Sequence, residues 1–221
     1  MTPEFRSFAS KAAAGAALAD HMAVLLDQAL ARRGAAALAL PGGRSPLPLF
    51  DALFARPLAW ERISLTLTDD RWVPPASPDS NQGLVRRHLE GRPAAAAHFI
   101  GLVSSAPAPA HGLAEIGARL ATLPDRFDAV VLGLGDDGHV ASLFPGQPLD
   151  GDGPCLAGLA PKPPQARISL GLGRLLATRA LFLLFGGDHR LGLARRPPSG
   201  LPIAAVLEQT AVPVEVFHYH D

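Results

Sequence analysis

Short apolar runs that alternate with helix-like segments constrain this chain more than any other feature. Ala35 to Leu40, Ala129 to Leu132 and Ala180 to Phe185 are each of strand length and apolar at every position, and Ile63 to Thr68 alternates but consists mostly of β-formers. A strand with no polar face must be buried on both sides, and in an α/β domain helices supply the cover. Alternation of such strands with helices implies a mostly parallel sheet with helices on both faces.

The remaining segments fit that scheme. Ser7 to Arg33 is alanine-rich, but Lys11, Asp20, His21 and Asp27 interrupt it, so it is too charged for a membrane span. Leu18, Met22, Leu25, Leu26 and Leu30 recur at helical spacing, which predicts a surface helix with one buried stripe, ended by Gly34. Ser45 and Pro46 together suit a helix start, running to about Phe54. Asp79 with Gln82 reads as a capping box ahead of a helix from Gly83 to Leu89. Phe99 to Val103 reads as a strand and Gly112 to Leu123 as a helix. The glycine- and proline-rich stretch from Pro145 to Pro164 reads as a long surface loop, followed by strands at Arg167 to Leu170 and Val214 to His218 and a short helix at Ile203 to Leu207. No repeat of fixed period is visible. The whole length, residues 1–221, is expected to form one α/β domain.

The strand Ala129 to Leu132 ends at Gly133-Leu-Gly-Asp-Asp-Gly-His-Val-Ala-Ser-Leu-Phe, before Pro145. Open α/β sheets bind ligands in the crevice beyond the carboxyl ends of their strands, which is where this loop falls. Its glycines satisfy the dinucleotide pattern GxGxxG. Asp136 and Asp137 would set two carboxylates where a pyrophosphate needs amide donors, and Pro145 cuts the following helix to under two turns, so a hydrolytic role is the better reading. Imidazole titrates near neutrality, which suits His139 to take up and return a proton. Asp137, two residues earlier, can fix its tautomer. Ser142 lacks the GxSxG elbow of a nucleophile and is assigned to capping or packing.

Two further loops follow strands and converge on the same edge. Pro41-Gly42-Gly43-Arg44-Ser45-Pro46 offers free amides and a helix start, suited to an anion or to an ordinary glycine turn. Asp69-Asp70-Arg71-Trp72-Val73-Pro74 supplies Arg71, a bidentate donor whose alternative is an ion pair with Asp69 or Asp70. Lys162 stands out because Lys11 is the only other lysine in a chain that prefers arginine.

Composition narrows the class. Charged residues are 18% of 221 and the formal net charge is zero, with no basic block longer than a pair, which argues against nucleic acid or an anionic membrane as a partner. The single Cys155 excludes an internal disulfide and a cysteine-rich zinc site, and fits a reducing cytoplasm.

With these loops assembled, the chain resembles the 6-phosphogluconolactonase family over nearly its whole length. The segment Gly133 to Pro145 is similar to that family's Gly-x-Gly-x-Asp-Gly-His-Thr-Ala-Ser-Leu-Phe-Pro signature, with Val140 in place of threonine. Asp69 to Pro74 with Ser80-Asn81 resembles its Asp-Glu-Arg-x-Val-Pro and Ser-Asn elements. Gly42-Gly43-Arg44-Ser45-Pro46 resembles its Gly-Gly-Ser-Thr-Pro loop, and Lys162 to Ser169 its lysine-proline loop and Arg-Ile-Thr strand. Asp70, Arg44 and His189 or Arg190 depart from the family pattern, the last pair standing where many members carry lysine.

The resemblance implies a Rossmann-like fold, shared with glucosamine-6-phosphate deaminases and ribose-5-phosphate isomerases, and hydrolysis of 6-phospho-D-glucono-1,5-lactone without metal or cofactor. It implies His139 as general base and Asp137 as its orienting partner. Gly42, Gly43, Arg44, Ser45, Asp69, Arg71, Asn81, Lys162, Arg167 and His189 become the candidate substrate contacts. A monomer or weak homodimer is expected. The rival reading is a glucosamine-6-phosphate deaminase-like isomerase, which resembles Asp-Gly-His-Ile-Ala-Phe-Asn-Glu-Pro and has a glutamate this chain lacks. A non-catalytic sugar-phosphate sensor is the second rival, disfavoured by the absence of a DNA-binding segment.

Overall fold

The computed structural model describes residues 2–220. Seven strands form a parallel sheet in the order β1 (Glu4–Phe8), β10 (Val214–Tyr219), β9 (Leu181–Gly186), β6 (Ala129–Leu132), β2 (Ala36–Leu40), β3 (Ile63–Leu67) and β5 (His98–Ile100). Every residue of β2, β6 and β9 is buried. Because successive strand side chains point to opposite faces, uniform burial means that both faces are covered, as the apolar runs require.

The long helix α1 (Lys11–Arg33) packs on α2 (Leu47–Phe54) and on the sheet through Leu18, Met22, Leu26 and Ala29. Ser10 accepts a hydrogen bond from the Ala13 amide at its start, and Gly34 ends it in the left-handed conformation at φ 74°. The other helices are α3 (Asn81–Leu89), α4 (Pro109–Leu120), α5 (Leu172–Leu176), α6 (Asp188–Arg195) and α7 (Pro202–Glu208). Among the described residues no helix is long and apolar enough to cross a membrane.

The connections run outward in opposite directions from the neighbours β2 and β6. β2 leads to β3 and β5, whereas β6 leads toward β9 and β10. The loops that leave the carboxyl ends of β2 and β6 therefore part and open a crevice between them.

A second, three-stranded antiparallel sheet stands over that edge in the order β4 (Asp69–Arg71), β8 (Ala166–Leu170), β7 (Cys155–Leu159). The amide of Leu170 donates to Thr68 O at 2.9 Å, tying it to the end of β3. Its presence corrects two expectations. The run Arg167 to Leu170 is a buried strand, but in this small sheet, and the stretch 145–164 contains β7 rather than loop throughout.

Other boundaries shift for identifiable reasons. β1 precedes α1, and its pairing with β10 joins the two ends of the chain, which no local pattern reveals. Pro109 opens α4 three residues before Gly112. No helix follows the Gly133 loop. Ala141 has φ 50° and Val140 bridges Leu143, so Ser142 sits in a turn, not in a helical one. Ser45 does not cap α2; Pro46 holds the N-cap position and Ser45 Oγ accepts from the Tyr219 hydroxyl at 3.0 Å. Ser80, not Asp79, caps α3, accepting from the Gly83 amide at 3.0 Å.

Candidate active site

A cavity of about 680 Å³ fills the crevice between the two sheets, a volume suited to a small-molecule ligand. The loop 133–139 after β6 forms one wall. His139 O accepts from the Gly135 amide at 2.9 Å, closing the loop on itself. A Cβ on Gly135 would lie 2.1 Å from the His139 ring, so glycine is what lets the backbone pass beneath the imidazole. His139 Nδ1 donates to Asp137 Oδ1 at 2.5 Å, and the His139 amide donates to the same oxygen at 3.2 Å. Burial raises the Asp137 pKa, but these hydrogen bonds and the imidazole outweigh it and hold the carboxyl below its ordinary value. With Nδ1 engaged, Nε2 is the ring nitrogen left for a proton from the cavity, and the Phe144 ring packs 4.9 Å away.

Asp136 lies at the exposed rim of the cavity. Arg190 Nε donates to its carboxylate at 2.8 Å, holding its pKa down, and His189 Nε2 donates to its backbone oxygen at 2.9 Å. His189 therefore braces the loop from behind and does not line the cavity. It is the one candidate contact that the structure leaves outside.

The second wall comes from β4, β8 and the start of α3. Arg71 stands opposite Arg167 in the β4–β8 register, and both line the cavity. Arg71 Nη1 donates to Asp79 O at 2.8 Å and to Asn81 Oδ1 at 3.2 Å. Arg167 is 9% exposed, and its buried Nη1 has no hydrogen-bond partner among the described residues. Burial and the neighbouring Arg71 charge push the Arg167 pKa down, against the pull of Asp69, Asp70 and Asp79. Two cations directly opposite on adjacent strands repel, so an anion between them would relieve both. Asp69 accepts from Ser142 Oγ at 2.5 Å, which gives Ser142 its partner and links the two walls.

The floor is the loop after β2. Gly42, Gly43, Arg44 and Ser45 line the cavity, and a Cβ on Gly42 would lie 1.9 Å from the Asn81 side chain. Glycine at this position lets the loop lie directly against Asn81, whose Nδ2 donates to Asp69 O at 2.9 Å. Lys162 reaches the cavity from the turn between β7 and β8, a placement that follows from the hairpin.

Asp70 escaped sequence reasoning. Fully buried, it accepts from the amides of Arg71 (2.8 Å), Asn81 (2.7 Å) and Gln82 (2.9 Å), and so joins β4 to the start of α3. An aspartate one residue from Arg71 looks like its ion-pair partner in sequence; only the fold turns it toward a helix start. A separate cavity of about 630 Å³ around Trp72, Ser104, Glu115 and Arg119 contains none of the candidate residues.

An imidazole positioned by a carboxylate at the edge of a parallel sheet, with paired guanidiniums on the facing wall, defines an α/β enzyme of small anionic metabolites. The chain belongs to the family described as glucosamine-6-phosphate isomerases/6-phosphogluconolactonase, whose model matches residues 9–214. It is 40% identical to a 6-phosphogluconolactonase of Pseudomonas aeruginosa over 207 residues, covering 90% of this chain and 84% of the relative. It is 39% identical to one of Mesorhizobium japonicum, covering 96% and 94%. The crystal structure of a 6-phosphogluconolactonase from Shewanella baltica superposes with a TM-score of 0.93 at 34% identity, covering 99% and 98%.

Proposed function

We propose that this chain hydrolyses 6-phospho-D-glucono-1,5-lactone to 6-phospho-D-gluconate, the hydrolytic step of the oxidative pentose phosphate pathway. The observation that carries the reading is the Arg71–Arg167 pair in the same cavity as His139, which puts cationic groups for a phosphate and a base for the lactone carbonyl into one site. Relatives named for that activity at 34–40% identity support it.

His139 Nε2 takes a proton from water as the oxygen attacks C1, and Asp137 stabilises the imidazolium that forms. The tetrahedral intermediate collapses by breaking the bond from C1 to the ring oxygen. The imidazolium returns its proton to that oxygen, which becomes the C5 hydroxyl. A lactone is an activated ester, so base catalysis with positioning suffices. Arg71 and Arg167 grip the 6-phosphate, assisted by Lys162, Arg44 and the amides of Gly42 and Gly43, while Asn81 and Asp69 hold the arginine wall in place.

Arg167→Ala tests the phosphate assignment. Loss of a charged hydrogen bond worth about 1.5–3 kcal/mol is expected to raise KM for the phosphorylated lactone by about 10–100-fold. KM for unphosphorylated glucono-1,5-lactone should barely move. Equal effects on the two substrates would remove Arg167 from the phosphate site.

A further inference from the structure

The end of β10 and the start of α6 gather three metal-ligand side chains that the hydrolysis does not use. His218 and His220 are two residues apart along an extended strand end and so share a face, and Asp188 opens α6 beside them. One ligand atom from each lies within 4.8 Å of the other two. His218 is fully buried, and among the described residues neither Nδ1 nor Nε2 has a hydrogen-bond partner. A buried imidazole that lacks a partner on both nitrogens is costly to keep unless something else engages it. Its ring lies 5.8 Å from that of Phe185 and meets His220 edge-on at 5.0 Å.

We propose that Asp188, His218 and His220 bind a borderline divalent transition ion of the Zn²⁺ class. Two imidazoles and one carboxylate are the donor set such ions favour over the all-oxygen sets of Mg²⁺ or Ca²⁺, and water completes a tetrahedron. Ligand atoms around tetrahedral zinc stand roughly 3.4 Å apart, so the site must contract by little over an ångström at its widest. The exposed side chains of His220 and Asp188, 59% and 90% accessible, supply that movement while buried His218 stays fixed. The next residues of α6, His189 and Arg190, hold Asp136 in the His139 loop. A bound ion therefore ties the end of β10 to the brace behind that loop.

The test uses untagged full-length protein, stripped with chelator and titrated with Zn²⁺ by calorimetry and with Co²⁺ by visible absorption. One equivalent should bind, with Co²⁺ bands of tetrahedral intensity. The melting temperature should rise by about 5 °C or more at a hundredfold excess of metal over Kd. His220→Ala and Asp188→Asn, both at exposed positions, should each weaken Zn²⁺ binding by more than about 100-fold, beyond the cost of losing an outer-shell partner. Their melting in chelator should match the parent, and His139→Ala should bind Zn²⁺ unchanged. Absence of saturable binding, binding that survives both ligand variants, or binding lost in His139→Ala would each overturn the proposal.

Discussion

His139→Ala is expected to lower kcat/KM for 6-phospho-D-glucono-1,5-lactone by about 10²–10⁴-fold, the range that a positioned general base contributes. Nε2 makes water nucleophilic by taking its proton as the bond to C1 forms, and alanine offers nothing in its place. The effect should fall on kcat rather than KM, since the arginine wall and the glycine floor remain intact. The side chains of His139 and Asp137 are 33% and 42% exposed, so their ion pair adds little to folding and the thermal transition should stay near that of the parent. The assay is lactone consumption in a coupled dehydrogenase system, with the spontaneous rate subtracted. A variant that retains most of its turnover would take His139 out of the base role.

Asp70→Asn should show an effect of comparable weight on stability instead of chemistry. The two carboxyl oxygens accept three backbone amides at 2.7–2.9 Å, whereas the side-chain NH2 of asparagine accepts nothing and turns its hydrogens toward buried donors. A loss of about 2–4 kcal/mol is expected at pH 4. Burial raises the Asp70 pKa to about 6 from 3.8, with Asp69 adding to the rise and the backbone hydrogen bonds opposing it. A proton held more tightly in the folded state stabilises it fully below pH 3.8, and that contribution is lost as pH climbs through 6. The parent thus loses stability across this window and the asparagine variant, which cannot titrate, does not. The gap between them should narrow by about 2 kcal/mol from pH 4 to pH 7. Urea unfolding at several pH values measures it, and a gap that is constant or widens would contradict the assignment.

The parallel core was legible because β2, β6 and β9 are apolar on both faces, a pattern set by burial alone. The small sheet was not, since β7 is half exposed and sits among glycines and prolines that locally signal a loop. Its strands hold together only by pairing across the chain. The same division runs through the site. His139 with Asp137 could be read locally, since both lie in one loop. Arg71 and Arg167 could be named as basic residues, but that they face each other depends on the β4–β8 register. His189 does not line the cavity because α6, unforeseen in the sequence, sets its ring on the backbone oxygen of Asp136. The capping of α3 passed to Ser80 and Asp70 because the fold brings β4 against that helix start.

A crystal structure with 6-phospho-D-gluconate bound tests the account most directly. The product carboxylate should lie within about 2.6–3.2 Å of His139 Nε2, with the phosphate between Arg71 and Arg167. A phosphate seated against His139, or a product bound away from the cavity between the two sheets, would contradict it.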